Sequence, residues 1–112
     1  MNYFEIGIIK DIIKVPVSAN NSFHTIIVLQ SNYEDCRTIK RIIFMNKLSM
    51  RVQKELHKKE IVIICGNIVA IDNDLKIIGK SFKKIESLSH GEYLSQQNLK
   101  AAFNKALLDF NS

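Results

Sequence analysis

Thr38-Ile39-Lys40-Arg41-Ile42-Ile43-Phe44-Met45, then Asn46-Lys47-Leu48-Ser49-Met50-Arg51-Val52-Gln53-Lys54-Glu55-Leu56-His57-Lys58, then Glu60-Ile61-Val62-Ile63-Ile64-Cys65-Gly66-Asn67-Ile68-Val69-Ala70 change hydrophobic period twice. The first block is β-branched and alternates, so it predicts a strand with Arg41 on the outward side together with Ile39, Ile43 and Met45. In the second, Leu48, Val52 and Leu56 recur four apart, the signature of a helix with one narrow apolar stripe. Asn46 is placed to cap it, and Lys54, His57, Lys58 and Lys59 gather at the end where the helix dipole favours cations. The third block is apolar at successive positions and reads as a central strand.

Working outward, Phe4 to Val17 is a long β-branched run, with Gly7 expected to mark a bulge or sharp coil. Ser18-Ala19-Asn20-Asn21-Ser22 reads as a turn. A second strand runs from Phe23 to Gln30, and the polar Ser31–Arg37 reads as a hairpin loop. Asp72-Asn73-Asp74 is a turn before a fifth strand that runs from Leu75 toward Phe82 and Ile85, kinked at Gly79. Three strands, one helix and two strands is the order of an OB-type barrel: an all-β, five-stranded Greek-key fold with the helix plugging one end. An SH3-like barrel lacks that helix, and a ferredoxin-like fold needs another after its first strand. The barrel takes residues 1–88. The remainder, 89–112, is a C-terminal extension in which Leu99, Ala102, Phe103, Ala106, Leu107 and Phe110 fall on one helical face after a Ser95 cap. It is expected to pack on the barrel or on a partner.

The 112 residues suffice for one domain, and 46% apolar content is that of a folded globule. Two separated cysteines, Cys36 and Cys65, do not make a secreted disulfide framework. The start of the chain has no signal-peptide pattern, and the apolar run Ile61–Cys65 is far below the roughly 20 residues of a membrane span. A cytoplasmic protein with reduced thiols and no membrane partner is expected. A net charge of +5 favours an anionic partner, nucleic acid ahead of a membrane surface. Aromatic content of 8% with no Trp leaves little for a stacking platform. His24, His57 and His90 have no ligand spacing to one another or to the cysteines, Asp72 and Asp74 lack the third carboxylate of a calcium loop, and no phosphate-cradling glycine loop or nucleophile elbow occurs. No enzyme, metal or cofactor is expected.

Ile42-Ile43-Phe44-Met45-Asn46-Lys47-Leu48, then Val52, Leu56, Lys58-Lys59 and Ile61-Val62-Ile63-Ile64-Cys65-Gly66-Asn67-Ile68 resemble the core of bacterial single-stranded-DNA-binding proteins. Ile6-Gly7-Ile8-Ile9-Lys10-Asp11 is similar to that family's opening strand, and Phe82–Leu88 to its closing one. The resemblance implies a non-catalytic protein of DNA replication that binds single-stranded DNA, or RNA, works as a homodimer or homotetramer, and meets a replication-protein partner. It implies phosphate contacts at Arg41 and Lys47, with Lys10, Arg37, Lys40, Lys76 and Lys80 lining the same mouth. Two family features are missing: the stacking aromatics, whose positions hold Ile39 and Met45, and the acidic tail ending on Phe. Binding is then carried mainly by basic residues. The alternative is a protein-interaction module that has lost nucleic acid, with Ile39, Ile43, Met45, Phe103 and Phe110 as contact surface.

Overall fold

Strands and helix come in the order the periodicities predict: β1 (Asn2–Pro16), β2 (Phe23–Tyr33), β3 (Cys36–Phe44), α1 (Asn46–Glu55), β4 (Ile61–Ile71) and β5 (Asp74–Lys84). They are seen in a computed structural model that describes residues 2–17, 23–33 and 36–85. The Ser18–Ser22 turn, residues 86–88 of the closing strand, and the C-terminal helix with Phe103 and Phe110 lie outside the described residues.

The strands close into a barrel in the order β1-β2-β3-β5-β4. One long strand serves two neighbours: the first half of β1 pairs with β4, from Asn2↔Asn67 to Ile8↔Ile61, and the second half with β2, from Ile8↔Gln30 to Pro16↔Phe23. β3 meets β5 in parallel through Ile42↔Ile77 and Ile43↔Ile78, and every other pair is antiparallel. The result is the OB fold that the element order predicts.

Ile9, Ile27, Leu29, Ile42, Phe44, Val62 and Ile64 fill the interior, and Val52 and Leu56 of α1 stop one end of it with Leu48 beside them. The helix is also tied by polar bonds. The Thr25 and Ser49 hydroxyls are 2.6 Å apart, and Gln53 Nε2 donates to Thr25 Oγ1 at 3.3 Å. Thr25 and Ser49 are fully buried, so pairing them avoids the cost of an unsatisfied hydroxyl.

Several local expectations are corrected. Asn46 is not the cap: Met45 holds that place with extended backbone, no side chain caps the helix, and Asn46 is its first residue with φ 57°. The helix stops at Glu55 rather than Lys58, where Leu56 turns into the core and Lys59 takes φ 74°. Ser31–Arg37 is mostly ladder, because the β2–β3 pairing runs on to Tyr33↔Cys36. Ser31 is polar yet buried, and its hydroxyl donates to the Ile6 carbonyl at 2.8 Å. The β1 bulge falls between Ile9 and Asp11. Gly7 serves close approach instead, since a Cβ there would meet Leu29 Cγ at 2.6 Å and the Gln30 carbonyl at 2.7 Å. The β4–β5 turn has positive φ at both Asp72 (51°) and Asn73 (65°), the pattern of a two-residue type I′ hairpin.

Two ion pairs fasten the turn after α1: Lys84 Nζ to Glu60 at 3.1 Å and Lys58 Nζ to Asp11 at 3.3 Å. Burial pushes the Glu60 carboxyl up, but Lys84 and the His57 N–H outweigh it and hold Glu60 below its ordinary value. The Ile12 N–H first, and then Lys58, hold Asp11 low. A carboxylate depressed in the folded state adds stability that is present above its unfolded value and lost as pH falls through the folded one. The melting temperature is therefore expected to fall as pH drops from about 5 to about 3, and Lys84→Met to flatten the part due to Glu60. Thermal melts across that range check it; an unchanged melting temperature would deny both pairs a role in stability.

Candidate nucleic-acid interface

Strand alternation decides what the barrel shows to solvent. Ile27, Leu29, Ile42 and Phe44 point inward, so their chain neighbours point out. Register then sets out rows on the outer side of β1–β2–β3: Asp11, Val28 and Arg41; Ile13, Ile26 and Ile43; Val15 and His24; and Gln30 beside Ile39. Along β3 the outward column reads Arg37, Ile39, Arg41, Ile43. Arg37 and Arg41 are exposed and make no ion pair among the described residues. Ile39 between them is 60% exposed, a large departure from where isoleucine normally sits. The two guanidinium stems are about 13 Å apart at 3.3 Å per residue.

The parallel pairing extends this face onto β5. Ile78 stands beside Ile43, and the same register carried two residues back sets Lys76 beside Arg41. Lys76 is part-exposed, with Asp74 at 3.7 Å. Lys80 is exposed on β5 at the point where the β4–β5 register shifts, and Lys47 is exposed in the first turn of α1 just past the half-buried Met45. The β4–β5 hairpin exposes Leu75 and Ile71, 73% and 41%, beside its turn. Loops at this position join the binding surface in OB folds generally.

Two of the expected basic residues stand elsewhere. Lys40 is opposite Leu29 and shares its inward side at the barrel mouth. Its Nζ lies 2.9 Å from the Glu5 carboxylate and 5.4 Å from the centre of the Tyr3 ring. Tyr3 in turn donates its hydroxyl to Glu5, and burial first, then that carboxylate, holds the Tyr3 hydroxyl well above its usual range. Lys10 sits exposed at the β1 bulge, in a pocket with Ile8, Ile9, Lys58 and Lys59.

Ile13, Val15, Ile26 and Val28 make up the apolar half of the face and were not among the expected residues. The alternation of β2 is enough to find Ile26 and Val28, but the bulge at Lys10 reverses the phase of β1 and hides the other two. The face has no Phe, Tyr or Trp among the described residues. Chemically it offers cations at intervals over aliphatic side chains: phosphate-compatible, with flat apolar ground between. No described helix is long and apolar enough to cross a membrane.

No protein-family model and no curated protein sequence matches the chain. Solved structures do. The second single-stranded DNA-binding protein of Mycobacterium smegmatis superposes with a TM-score of 0.61 at 13% identity, over 74% of this chain and 86% of that one. The mitochondrial single-stranded DNA-binding protein Rim1 of S. cerevisiae gives 0.62 at 17% identity, over 75% and 92%. The small single-stranded DNA-binding protein of Streptomyces coelicolor gives 0.60 at 9% identity, over 80% and 95%. At such identities the likeness is one of fold, and this chain is built on the same barrel scaffold as these three single-stranded DNA-binding proteins.

Proposed function

We propose that the chain is a divergent, non-catalytic member of the single-stranded-DNA-binding protein family that holds single strands on the outer face of β1–β2–β3. The observation that carries this reading is the β3 column, where exposed guanidinium groups with no ion pair among the described residues alternate with the exposed Ile39 and the part-exposed Ile43. The shared scaffold supports it. Arg37 and Arg41 take phosphates, Lys76 and Lys47 continue the path, and bases lie over Ile39, Ile43 and Val28. Ring stacking is worth about 1–3 kcal/mol per base, so its replacement by aliphatic contact makes binding weak, tolerant of sequence and steeply salt-dependent. Pairing into a homodimer or homotetramer and work beside replication proteins in the cytoplasm belong to the same reading.

The continuous aliphatic face favours a second reading, a protein-interaction module built on Ile39, Ile43 and Met45, since OB barrels serve many partners. Fluorescence anisotropy of a labelled single-stranded oligonucleotide at low and physiological salt, with duplex as control, separates the two. Saturable binding that prefers the single strand and weakens with salt is the expected result. No binding at low salt would transfer the face to a protein partner.

A further inference from the structure

Four residues other than glycine take a positive φ among the described residues: Asn46, Lys59, Asp72 and Asn73. Asparagine and aspartate enter the left-handed region readily, because their short side chains bond to the local backbone. Lysine has no such relief, and Lys59 at φ 74° is the strained one of the four. The bend itself has a structural cause. The Lys59 N–H donates to the Ile9 carbonyl at 2.8 Å and the Ile9 N–H to the Glu60 carbonyl at 2.9 Å, so the turn after α1 is tied to β1. Glycine would make that bend without strain. Nothing in the backbone calls for a lysine there.

The same two bonds set Lys59 beside the β1 bulge, where Lys10 is the extra residue between Ile9 and Asp11. A bulge re-aims the side chain it carries. Lys10, Lys58 and Lys59 are all exposed and line one surface pocket with Ile8 and Ile9. Neither a helix dipole nor ion pairing accounts for three ammonium groups in one place. The helix ends at Glu55 with Lys54 as the basic residue of its last turn, and the pull of the dipole fades beyond that turn. Of the nearby carboxylates, Glu60 is engaged by Lys84, and Asp11 meets Lys58 at 3.3 Å. Lys10 and Lys59 make no ion pair among the described residues. Three positive charges against the single negative charge of Asp11 leave the pocket two charges in excess.

We propose that Lys10, Lys58 and Lys59 form an anion site for a phosphate monoester, the terminal phosphate of a nucleotide or of a strand end. A monoester carries close to two negative charges at neutral pH, against one for the diester inside a strand, and so matches the excess of the pocket. The ammonium groups supply charge-assisted hydrogen bonds to its oxygens. The strain at Lys59 then has a use, since it places a cation where glycine would place none. No residue of the β3 column enters this site, so it stands or falls apart from the function proposed above.

Methyl phosphate and dimethyl phosphate, titrated into the full chain at about pH 8 and matched ionic strength while amide NMR shifts are followed, test it. Methyl phosphate is expected to move the amides of Lys10 and Lys58–Glu60 saturably, with an affinity at least about tenfold above that of the diester. Lys59→Gly should raise the melting temperature, because the strain goes, yet weaken methyl phosphate at least about fivefold. Lys10→Ala should weaken it likewise and leave the melting temperature in place. A lysine kept for the fold alone would not divide stability from binding in this way. An equal response to the two esters, or an affinity untouched by Lys59→Gly, would overturn the proposal, and so would shifts centred on Arg37–Arg41. Competition then tells the sources apart. If a terminally phosphorylated oligonucleotide displaces methyl phosphate better than its hydroxyl-ended counterpart and a nucleoside monophosphate do, the site takes a strand end. If the nucleoside monophosphate is the stronger competitor, it takes a free nucleotide; no displacement by either refutes the site.

Discussion

Phe44→Ala is expected to lower the free energy of unfolding by about 3–5 kcal/mol, a large share of the 5–15 kcal/mol typical of a domain. The ring is fully buried and meets Phe82 edge-on, with centroids 6.0 Å apart at 88°. It stands at the β3–β5 seam, where the barrel closes through only two register pairs. Gly79 on β5 lies directly over it: a Cβ at that position would come within 2.2 Å of Phe44 Cε1. Backbone therefore packs on the ring, and truncation opens a cavity that neither strand can fill without breaking the parallel pairing. Gly79→Ala, which forces the ring out of place, should cost about 1–3 kcal/mol in otherwise native chain. Combined with Phe44→Ala it should cost much less than the sum, because the clash is gone. Urea titrations of the three variants measure these costs, and additive values would show that Gly79 is not there for the ring.

That seam also marks the limit of what the residue string discloses. The strand and helix order was legible because period two changes to period four at Met45 and gives way to an unbroken apolar run after Glu60, and each change spans enough residues to average out single exceptions. Parallel contact of β3 with β5 cannot be read the same way, as it pairs residues far apart in sequence. Gly79 is visible as a glycine, but its cause is a ring 35 positions earlier. Polar residues on the inward side of a strand are the hard ones: Ser31 is bonded to Ile6 and Lys40 to Glu5, so there is ladder where a loop was expected, and a part-exposed ion pair at the barrel mouth where a residue of the Arg41 face was expected. Lys40 was nonetheless decidable, being in antiphase to Arg41 on one strand. The face around Arg41 was half legible, from β3 alone. Its other half depended on a bulge at Lys10 that no residue type announces.

Arg37→Ala with Arg41→Ala is expected to weaken single-strand binding about 25-fold at 0.1 M salt and to reduce the slope of log affinity against log salt by about 1.4. Counterion release sets both figures. Each phosphate neutralised on a single strand contributes about 0.7 to that slope, so two lost contacts remove about 1.4, which at 0.1 M salt corresponds to the stated factor. The two positions are chosen because the structure leaves their charges available, whereas Lys40 is engaged with Glu5 and Lys76 has Asp74 nearby. Both side chains are exposed and outward, so stability should change by less than about 0.5 kcal/mol and a loss of binding cannot be blamed on unfolding. Lys40→Ala supplies the contrast: it also removes a positive charge from the chain, but from the inward side of β3, so it should leave the salt slope nearly unaltered. Anisotropy titrations over a series of salt concentrations decide the matter. If Lys40→Ala and the double arginine variant shift the slope alike per charge removed, binding follows net charge and the β3 face has no special part in it; if only the arginines do, the outer column of β3 is where the phosphates lie.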